Sequence, residues 1–422
     1  MSNNYIEIYK CRICQSSNLD KIFTLGNLAI SDFLDKVDFD NEKRAPLDLV
    51  ICDPSIGGCG LVQLKHTVSS DALYRNYWYQ SGINKTMTDE LKNITDSIKK
   101  LNILKSGDLV IDIGSNDGTL LRSYDISGLI TVGFEPAKNL YDKGSHGTYS
   151  IICDFFDEKI FYERFGSNKA RVITAIGMFY DLDDPNKFVS DIYNCLSDDG
   201  LFIIQMMYVP FAIERNAFDG ICHEHLEYYS LTTLEFLLNN HSLEIVDVEL
   251  RKNINEGSIR FFIQKKMVPT INLAYPQQTL SVSKLRDAEY LSKITDISTY
   301  RELFYRIENA KLKTIEFILD AKKKGKIVHG YAASTKGNTT LQYYGLTDML
   351  IDVIADRNPV KWGKYTSGSH IKVVSEEVSR AQNPDYYFVL AWHFLPEFLS
   401  REVDFVKKGG KFIVSMPEFR II

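Results

Sequence analysis

The densest group of chemically active side chains lies in residues 221–230, ICHEHLEYYS. One cysteine, two histidines and two carboxylates fall within the six positions from Cys222 to Glu227. Such a group could hold a metal ion, supply a catalytic base with its supporting groups, or form a polar corner of a core. The zinc-protease helix motif H-E-x-x-H would need a histidine where Glu227 stands. The stretch therefore does not match that metal motif, and the base hypothesis is favoured.

Four of the seven cysteines form a C-x2-C pair and a C-x6-C pair near the N-terminus. Zinc binds four thiolate or imidazole ligands in a tetrahedron, and paired cysteines can present their sulfurs to one ion. A site closed by four thiolates has no open coordination position, so we predict a structural zinc rather than a catalytic one. The alternative is four unrelated buried cysteines. The predicted zinc ligands are Cys11, Cys14, Cys52 and Cys59.

A glycine-containing turn follows an apolar strand pattern in LVIDIGSNDGTLL, residues 109–121. Glycines in such a turn let the backbone approach a ligand at the carboxyl edge of a sheet. The spacing is G-x-x-x-G rather than G-x-G-x-x-G, which disfavours a dinucleotide. Glu135 ends the next strand pattern, where a carboxylate can hold ribose hydroxyls, and Phe155 after the third could lie against a purine. A plain turn is the alternative. The predicted cofactor-binding residues are Asp112, Gly114, Asn116, Gly118, Leu120, Glu135, Pro136, Asp154 and Phe155.

Two α/β units must position these groups. Apolar runs alternate with helix-length segments from residue 108 onward, which is typical of a parallel sheet with helices on both faces. A long helical bridge is predicted over residues 278–323, and a second α/β pattern follows it. The predicted fold class is therefore α/β, with a small N-terminal zinc-binding lobe and two Rossmann-like lobes. The predicted boundaries are 1–70 for the zinc lobe, 71–104 for a connector helix, 105–250 for the central lobe and 251–422 for the C-terminal lobe with its helical bridge.

Composition excludes several classes of protein. The chain has 422 residues, of which 45% are hydrophobic and 25% charged, so two or three globular domains are expected. A net charge of −6 without a basic face argues against nucleic-acid binding. The sequence has no apolar run long enough to span a membrane and no leader pattern at its start, so no membrane partner is expected. The cytoplasm, where thiols stay reduced, is the expected location.

In this order, the cysteine block, the glycine turn and HEHLEYYS resemble the nucleotide-sugar C-methyltransferases, which methylate keto-deoxysugars. The resemblance covers essentially the whole chain, including LGNLAISDFL, CGLVQL, GYAASTKGN and DRNPVKWGKY. It implies that the central lobe is a class I methyltransferase that binds S-adenosylmethionine. It also implies that a nucleotide-diphosphate sugar lies in the cleft between the central and C-terminal lobes.

Three departures from the family pattern border the expected sugar site. Cys222 stands where many members have a tyrosine, and Asn255-Glu256-Gly257-Ser258 replaces a His-Gly-Gly-Ser run. The stretch MFYDLDDP, residues 178–185, lacks a histidine that many members have. The identity of the sugar and of the methylated atom is therefore less constrained than the fold.

The chemistry implied by the resemblance requires a base. Methylation of a carbon beside a ketone needs removal of one proton and a donor that stabilises the resulting enolate. His225 is the predicted base, because histidine titrates near neutral pH and the resemblance places the functional histidine here. Glu224 could orient His225 or bind a sugar hydroxyl, and Tyr79 could cover the sugar or donate to its oxygen. His223 is interpreted as structural.

The sugar nucleotide would meet a second strand-to-helix turn, GYAASTKGNTT. Such a turn offers backbone N–H groups, hydroxyls and one ammonium group to a diphosphate. The predicted substrate-binding residues are Ser334, Lys336, Asn338, Arg260, Asn255 and His393.

Two other functions stay open at this point. One is a sugar-nucleotide O-methyltransferase, which needs a base near a hydroxyl but no ketone. The other is a non-catalytic zinc-ribbon binding module with a degenerate methyltransferase fold, against which the complete set of acidic residues and glycines argues. A monomer or small homo-oligomer is expected.

Overall fold

The computed structural model describes residues 4–266 and 281–422. Residues 1–3 of the predicted zinc lobe and residues 267–280 of the predicted C-terminal lobe lie outside the described residues. The latter range includes the first three residues of the predicted helical bridge, 278–280. The described chain forms three lobes and a connector, in the order that the sequence predicts.

The N-terminal lobe consists of antiparallel strands. They are β1 (Tyr5–Glu7), β2 (Leu19–Ala29), β3 (Phe33–Leu34), β4 (Arg44–Cys52), β5 (Val62–Leu64) and β6 (His66–Val68). Strands β2, β4 and β5 form one sheet, and β1 pairs with β6. The inner faces of β2 and β4 bury leucines, isoleucines and phenylalanines, which is the alternation expected of strands with one buried side.

The connector consists of two helices, α1 (Ser70–Tyr74) and α2 (Lys85–Lys100), rather than one. Helix α2 begins after Asn84, whose side chain accepts hydrogen bonds from two backbone N–H groups of the first turn. Its buried residues Leu91, Ile94 and Ile98 follow the helical spacing seen in the sequence, and they pack against the central sheet.

The central lobe is built on a seven-stranded sheet in the order β13-β14-β11-β10-β7-β8-β9. Its elements are β7 (Leu109–Ile113), α3 (Thr119–Arg122), β8 (Ile130–Phe134), α4 (Tyr141–Ser145), β9 (Ser150–Ile152), α5 (Glu158–Phe165), β10 (Ala170–Ile176), α6 (Pro185–Cys195), β11 (Leu196–Met207), α7 (Val209–Glu214), β12 (Glu227–Tyr228), α8 (Leu231–Asn240), β13 (Leu243–Arg251) and β14 (Ser258–Lys265). Strands β7 to β11 are parallel, as predicted.

The predicted boundary after residue 250 cuts through this sheet. Strand β14 pairs with both β13 and β11, so it is a central-lobe strand and not part of the C-terminal lobe. The reason is that β13 and β14 form an antiparallel pair, and the other edge of β14 pairs with β11, which extends the central sheet. Every residue of β14 is buried.

The C-terminal lobe is a second α/β unit with the strand order β18-β16-β15-β19-β20-β21. Its elements, with the helical bridge, are α9 (Val282–Leu291), α10 (Ile297–Lys323), β15 (Val328–Tyr331), α11 (Thr335–Tyr344), β16 (Ile354–Asp356), β17 (Tyr365–Thr366), β18 (Val373–Ser375), α12 (Glu376–Ala381), β19 (Tyr386–Val389), α13 (Leu395–Arg401), α14 (Val403–Lys407), β20 (Lys411–Val414) and β21 (Arg420–Ile421). All pairs are parallel except β20 with β21.

Both α/β sheets contain a point where the strand order reverses. In the central lobe β7 leads to β8 and β9 on one side, whereas β10 leads to β11 on the other. In the C-terminal lobe β15 and β19 are the corresponding neighbours. Ligands of open α/β sheets bind at the carboxyl ends of such strands, so each lobe has one expected ligand site.

The N-terminal lobe pairs with strands of both other lobes. Strand β12 extends its sheet through Glu227, which is opposite Gln63, and β3 pairs with β17 of the C-terminal lobe. The backbone of Ala29 also exchanges two hydrogen bonds with the side chain of Gln342 on α11. In the described part of the chain no helix is both long and apolar enough to cross a membrane.

Candidate active site

A cavity of about 430 Å³ lies where the central lobe, the connector and the C-terminal lobe meet. The carboxyl ends of β7 and β10 contribute to its wall, and so do the turns that follow β15 and β19. The two points of strand reversal therefore open into the same cavity. A ligand held by one lobe would lie beside a ligand held by the other.

The glycine turn after β7 forms one end of this cavity. Gly114 and Asn116 both have positive φ, 69° and 53°, a left-handed conformation that side chains other than glycine and asparagine seldom adopt. The carboxylate of Glu135 accepts hydrogen bonds from the backbone N–H groups of Asn116 (2.7 Å) and Ala137 (2.8 Å). These bonds hold Glu135 at the end of β8, facing the turn.

Asp112 at the end of β7 is buried, and the hydroxyl of Thr174 donates to it over 2.6 Å. Burial is the main reason that the pKa of Asp112 is raised to about 7; the Thr174 hydroxyl lowers this pKa and the nearby Glu135 raises it by smaller amounts. Burial also raises the pKa of Glu135. Two acidic groups in so apolar a site favour a ligand that brings positive charge or hydrogen-bond donors.

Most of the predicted cofactor-binding residues line the cavity. They are Asp112, Gly114, Asn116, Leu120, Glu135, Pro136 and Phe155. Gly118 and Asp154 do not. Gly118 is the residue before α3, where a side chain would collide with the carbonyl oxygen of Gly144. Asp154 instead pairs with Arg75 of the connector over 3.1 Å, and the same guanidinium lies 4.8 Å from the ring centroid of Phe155.

The last residue of α1 and the stretch that follows it, residues 74–83, cover the glycine turn; we refer to these residues as the cover segment. Asn116 exchanges hydrogen bonds with the backbone of Tyr79 and Ser81, and the N–H of Gly82 donates to Asp117 over 2.8 Å. Tyr79, the predicted catalytic aromatic residue, lines the cavity from this segment. A ligand at the glycine turn is therefore enclosed by residues from outside the central lobe.

His225 lines the cavity, and its Nδ1 lies 2.8 Å from the carbonyl oxygen of Gly220. A carbonyl can only accept, so Nδ1 carries the proton and the lone pair of Nε2 is left to face other groups. Burial and, to a smaller extent, the ammonium group of Lys336 lower the pKa of His225 to about 3. The imidazole is therefore neutral near pH 7, and its Nε2 carries no proton. The ring of Tyr180 packs against it at 4.4 Å.

The neighbours of His225 take different positions. Glu224 is buried beside the cavity rather than on its wall, and its Oε2 has no hydrogen-bond partner within the described residues. Burial raises the pKa of Glu224. The Nε2 of His223 lies 2.9 Å from the carbonyl oxygen of Ala45, in the N-terminal lobe, as a structural role requires. Cys222 is also buried, and its thiol lies 3.8 Å from the carbonyl oxygen of Gly220.

Sequence reasoning missed several residues of the cavity wall. Tyr180 and Asp181 follow β10, and Tyr74 and Tyr77 come from the cover segment. Burial, and to a smaller extent the nearby Glu224, raise the pKa of Asp181 well above its usual range. The stretch MFYDLDDP was visible as a departure from the family pattern. That this stretch lies at a point of strand reversal follows from the order of the strands in the sheet, which could not be predicted from the sequence.

The opposite end of the cavity contains an ion pair. The ammonium group of Lys336, in the first turn of α11, donates to the carboxylate of Glu256 over 2.7 Å. Glu256 is 1% exposed and also lies 3.3 Å from the imidazole of His393. Burial alone would raise the pKa of Glu256, but Lys336 and His393 outweigh it and lower that pKa to about 2. Glu256 is therefore ionised.

Four of the six predicted substrate-binding residues line the cavity, and two do not. Those on the wall are Ser334, Lys336, Asn255 and His393. Asn338 is completely buried, and its side-chain amide donates to the carbonyl oxygen of Asp32. Asn338 joins α11 to the N-terminal lobe instead of facing the cavity.

Arg260, predicted as a phosphate partner, lies inside the central lobe. It is fully buried on β14, and its guanidinium pairs with Glu90 (2.9 Å) and Glu249 (2.8 Å). A third hydrogen bond joins Arg260 to the side chain of Gln205. With its donors occupied by neighbours on α2, β11 and β13, Arg260 is a structural group of the sheet and not a ligand of the cavity.

The four predicted zinc ligands come together in the N-terminal lobe. The sulfur atoms of Cys11, Cys14, Cys52 and Cys59 all lie within 4.8 Å of one another, so the structure brings the predicted ligands together. The backbone N–H of Cys59 and the amide of Gln63 donate to two of the sulfurs. Such donors stabilise thiolates around a metal. The donor set suits a closed structural zinc site.

Three family models match consecutive parts of the chain. Residues 11–74 match a model described as "Putative zinc binding domain", residues 83–248 match "Methyltransferase domain", and residues 253–417 match "C-methyltransferase C-terminal domain". The chain is also 31% identical, over 420 residues, to the C-methyltransferase NovU of Streptomyces niveus. That alignment covers 98% of this chain and 97% of NovU.

Among solved structures, the mitomycin 7-O-methyltransferase MmcR aligns with 13% identity and a TM-score of 0.34. The alignment covers 43% of this chain and 55% of MmcR. The methyltransferase CcbJ from Streptomyces caelestis aligns with 11% identity and a TM-score of 0.33, over 42% of this chain and 89% of CcbJ.

Proposed function

The chain belongs to the C-methyltransferase family, and we propose that it transfers a methyl group from S-adenosylmethionine to a carbon atom next to the ketone of a nucleotide-linked keto-deoxysugar. The observation that carries this proposal is the single cavity shared by the two points of strand reversal. It gives a methyl donor and a second nucleotide-containing ligand adjacent sites. His225 lies on the wall of the same cavity.

The donor would occupy the end formed by the glycine turn. S-adenosylmethionine, when bound, supplies an activated methyl group on a positively charged sulfur atom. Glu135 is placed to accept hydrogen bonds from ribose hydroxyls, and Phe155 offers an aromatic face for the adenine. Asp112 and Glu135 sit in an apolar site that lacks a compensating cation on the glycine turn, which suits a ligand with a positive charge.

The sugar nucleotide would occupy the end formed by α11 and the turn after β19. Ser334 caps α11 by accepting from the backbone N–H of Gly337, and the first turn of a helix is a general binding site for anions. An ammonium group has three N–H donors, and Lys336 uses one of them for Glu256 among the described residues. The other two are free to bind a diphosphate.

His225 would act as the base. Its Nδ1 proton is held by the carbonyl of Gly220, so Nε2 can accept the proton from the carbon beside the ketone. The electron pair left on the substrate then forms an enolate, whose carbon attacks the methyl group in line with the bond that breaks. Tyr79 on the cover segment is the proposed donor to the sugar oxygen, and Glu224, which is buried next to His225 in the sequence, is the proposed helper.

Hydrogen exchange tests this reaction without the methyl donor. The enzyme is incubated in deuterated water with a nucleoside-diphosphate keto-deoxysugar, and the sugar is analysed by mass spectrometry. We expect deuterium to enter beside the ketone and a gain of one methyl group once S-adenosylmethionine is added. Methyl transfer to a hydroxyl oxygen without any exchange would instead identify an O-methyltransferase, and neither exchange nor transfer across a panel of keto-sugars would contradict the proposal.

A further inference from the structure

Glu256 presents an unused hydrogen-bond acceptor to the substrate end of the cavity. Its Oε2 accepts from Lys336, whereas its Oε1 is buried and has no hydrogen-bond partner within the described residues. An ionised carboxylate oxygen that is buried without a donor is unfavourable, because it has lost its hydrogen bonds to water and gained none in return. A ligand with a matching donor would remove that cost.

The backbone holds this carboxylate in place. Asn255 has φ 52° and Gly257 has φ 105°, so left-handed residues flank Glu256 on both sides. A side chain at Gly257 would collide with the ring of Phe211, at 2.7 Å. Left-handed backbone at a residue other than glycine persists where the surrounding structure enforces it, and it concentrates at ligand sites. The orientation of Glu256 is therefore built into the loop between β13 and β14.

His393 presents a second unused polar atom beside the first. Its Nδ1 lies 3.3 Å from Oε1 of Glu256, but the two atoms do not meet at hydrogen-bonding angles, and Nδ1 also has no other partner among the described residues. The neighbouring Trp392 is anchored because its indole N–H donates to Asp219 over 3.1 Å. Both unused atoms belong to residues that line the cavity.

We propose that Glu256 and His393 together bind one polar substituent of the sugar ring and thereby select the substrate. The substituent donates to Oε1 of Glu256 and takes its second hydrogen bond with Nδ1 of His393. A hydroxyl meets both conditions by donating to the carboxylate and accepting from the imidazole, and a protonated amine meets them by donating to both. This inference rests on the proposed function and adds a requirement that the substrate must meet.

The Lys336–Glu256 ion pair ensures that only a hydrogen-bond donor on the sugar can satisfy Glu256. Because the ammonium group holds the carboxylate in its ionised form, Glu256 can accept hydrogen bonds but cannot donate them. A ring position that carries only hydrogen would leave Oε1 unsatisfied, and sites built around such a bond discriminate strongly against ligands that lack it. Selection then comes from an unsatisfied polar atom rather than from a steric block.

The test compares specificity ratios. The substrates are one nucleoside-diphosphate keto-deoxysugar, analogues that each lack one ring hydroxyl, and analogues with an amine in its place. In the wild type we expect one analogue to lose about 10- to 100-fold in kcat/KM, as for a charged hydrogen bond. In Glu256→Ala the same analogue should come within about threefold of the parent. A ratio of two substrates on one enzyme is insensitive to partial unfolding.

Two further variants complete the design. His393→Phe should collapse the ratio at the same ring position, and it replaces Glu256→Ala if that variant does not fold. Glu397→Gln is the control, because Glu397 pairs with Arg401 outside the cavity and its loss should leave every ratio unchanged. The substituent that this pair binds is the one, hydroxyl or amine, whose advantage in kcat/KM is seen in the wild type and is lost in Glu256→Ala.

Two results would overturn the inference. One is that the wild type has the same kcat/KM for every deoxy analogue as for the parent sugar. The other is that the analogue loses the same factor in kcat/KM in Glu256→Ala as in the wild type. Both require methyl transfer to the parent sugar, so they leave the proposed function intact. If no keto-sugar of the panel is methylated, the proposed function itself is wrong, and the inference is wrong with it.

Discussion

The indole N–H of Trp78 donates to the carboxylate of Asp32 over 2.7 Å. The backbone oxygen of the same aspartate accepts from Asn338 of α11. One residue of the zinc lobe thus fixes both the cover segment and the helix that carries Lys336. The position of the cover over the methyl-donor end is therefore set by the N-terminal lobe.

Replacing Trp78 with phenylalanine should loosen the cover. The variant keeps the aromatic contact with Phe33 but loses the hydrogen bond, worth about 1 kcal/mol. We expect S-adenosylmethionine to dissociate about fivefold faster, as measured by stopped-flow fluorescence. Trp362→Phe removes a comparable bond, to Asp356, away from the cover segment and should not change this rate. Equal rates in all three proteins would show that Asp32 does not control the cover.

His225→Ala should abolish turnover. Loss of a general base lowers rates by about 10²- to 10⁴-fold, whereas the donor site on the glycine turn stays intact. Isothermal titration should give an affinity for S-adenosylmethionine within about twofold of the wild type. The matched control is His223→Gln, because glutamine can still donate to the carbonyl of Ala45. Wild-type rates in His225→Ala would remove this residue from the mechanism.

The cysteine cluster should hold one zinc ion per chain. Elemental analysis of Cys14→Ser should show less than one equivalent, because serine is a poor ligand for zinc. Cys153 lies outside the cluster, so Cys153→Ser should keep its zinc. A chelator should lower the melting temperature of the wild type, since binding energy at a structural site contributes to folding. Folded wild-type protein without metal would contradict the assignment.

Buried His223 should make the protein less stable in mild acid. Burial lowers its pKa in the folded state to about 4, whereas the unfolded chain has a pKa near 6.5. Below pH 6.5 the unfolded state takes up a proton that the folded state does not, so the free energy of unfolding falls as the pH falls towards 4. At pH 5 the wild type should lose about 2 kcal/mol relative to His223→Gln, compared with pH 7.5. Urea titrations of both proteins at the two pH values measure this difference, and parallel curves would contradict it.

Arg260→Met should act on stability rather than on substrate affinity. Among the described residues, this change leaves Glu90 with Arg251 as its one remaining ion-pair partner, and removing one partner of a buried ion pair costs about 3–5 kcal/mol. Denaturant unfolding should show this loss, while the KM for the sugar nucleotide in the folded fraction stays near the wild-type value. A selective rise in KM without destabilisation would restore Arg260 to the substrate site.

Much of the architecture was predictable because it rests on local patterns. Apolar runs ending in acidic or glycine residues predicted the parallel strands, and paired cysteines predicted the cluster. The fate of Arg260 was not predictable, because its partner Glu90 is 170 residues away in the sequence and on another element. Asp154 misled for the same reason. Asp154 does follow β9 as the pattern predicts, but its carboxylate pairs with Arg75 of the connector instead of lining the cavity.

The substrate end was the least predictable part of the site. Glu256 was visible as a departure from the family pattern, yet its pairing with Lys336 depends on how two lobes meet. Asp181 and Tyr180 needed the strand order before their place on the wall could be inferred. Contacts between lobes bring together residues that no periodicity or motif connects. Most of the site features that the sequence did not predict depend on such contacts.

The strand pairing of the N-terminal lobe has a consequence for synthesis. Its backbone at Asp32 bonds to Ser367, 335 residues later in the chain, and its sheet ends in β12, which comes from the middle of the chain. During translation this lobe emerges before the other two described lobes, and its last strand partners are made more than 300 residues later. Contacts so distant in sequence also slow spontaneous folding. The N-terminal lobe should thus complete its sheets only after β17 of the C-terminal lobe has been made.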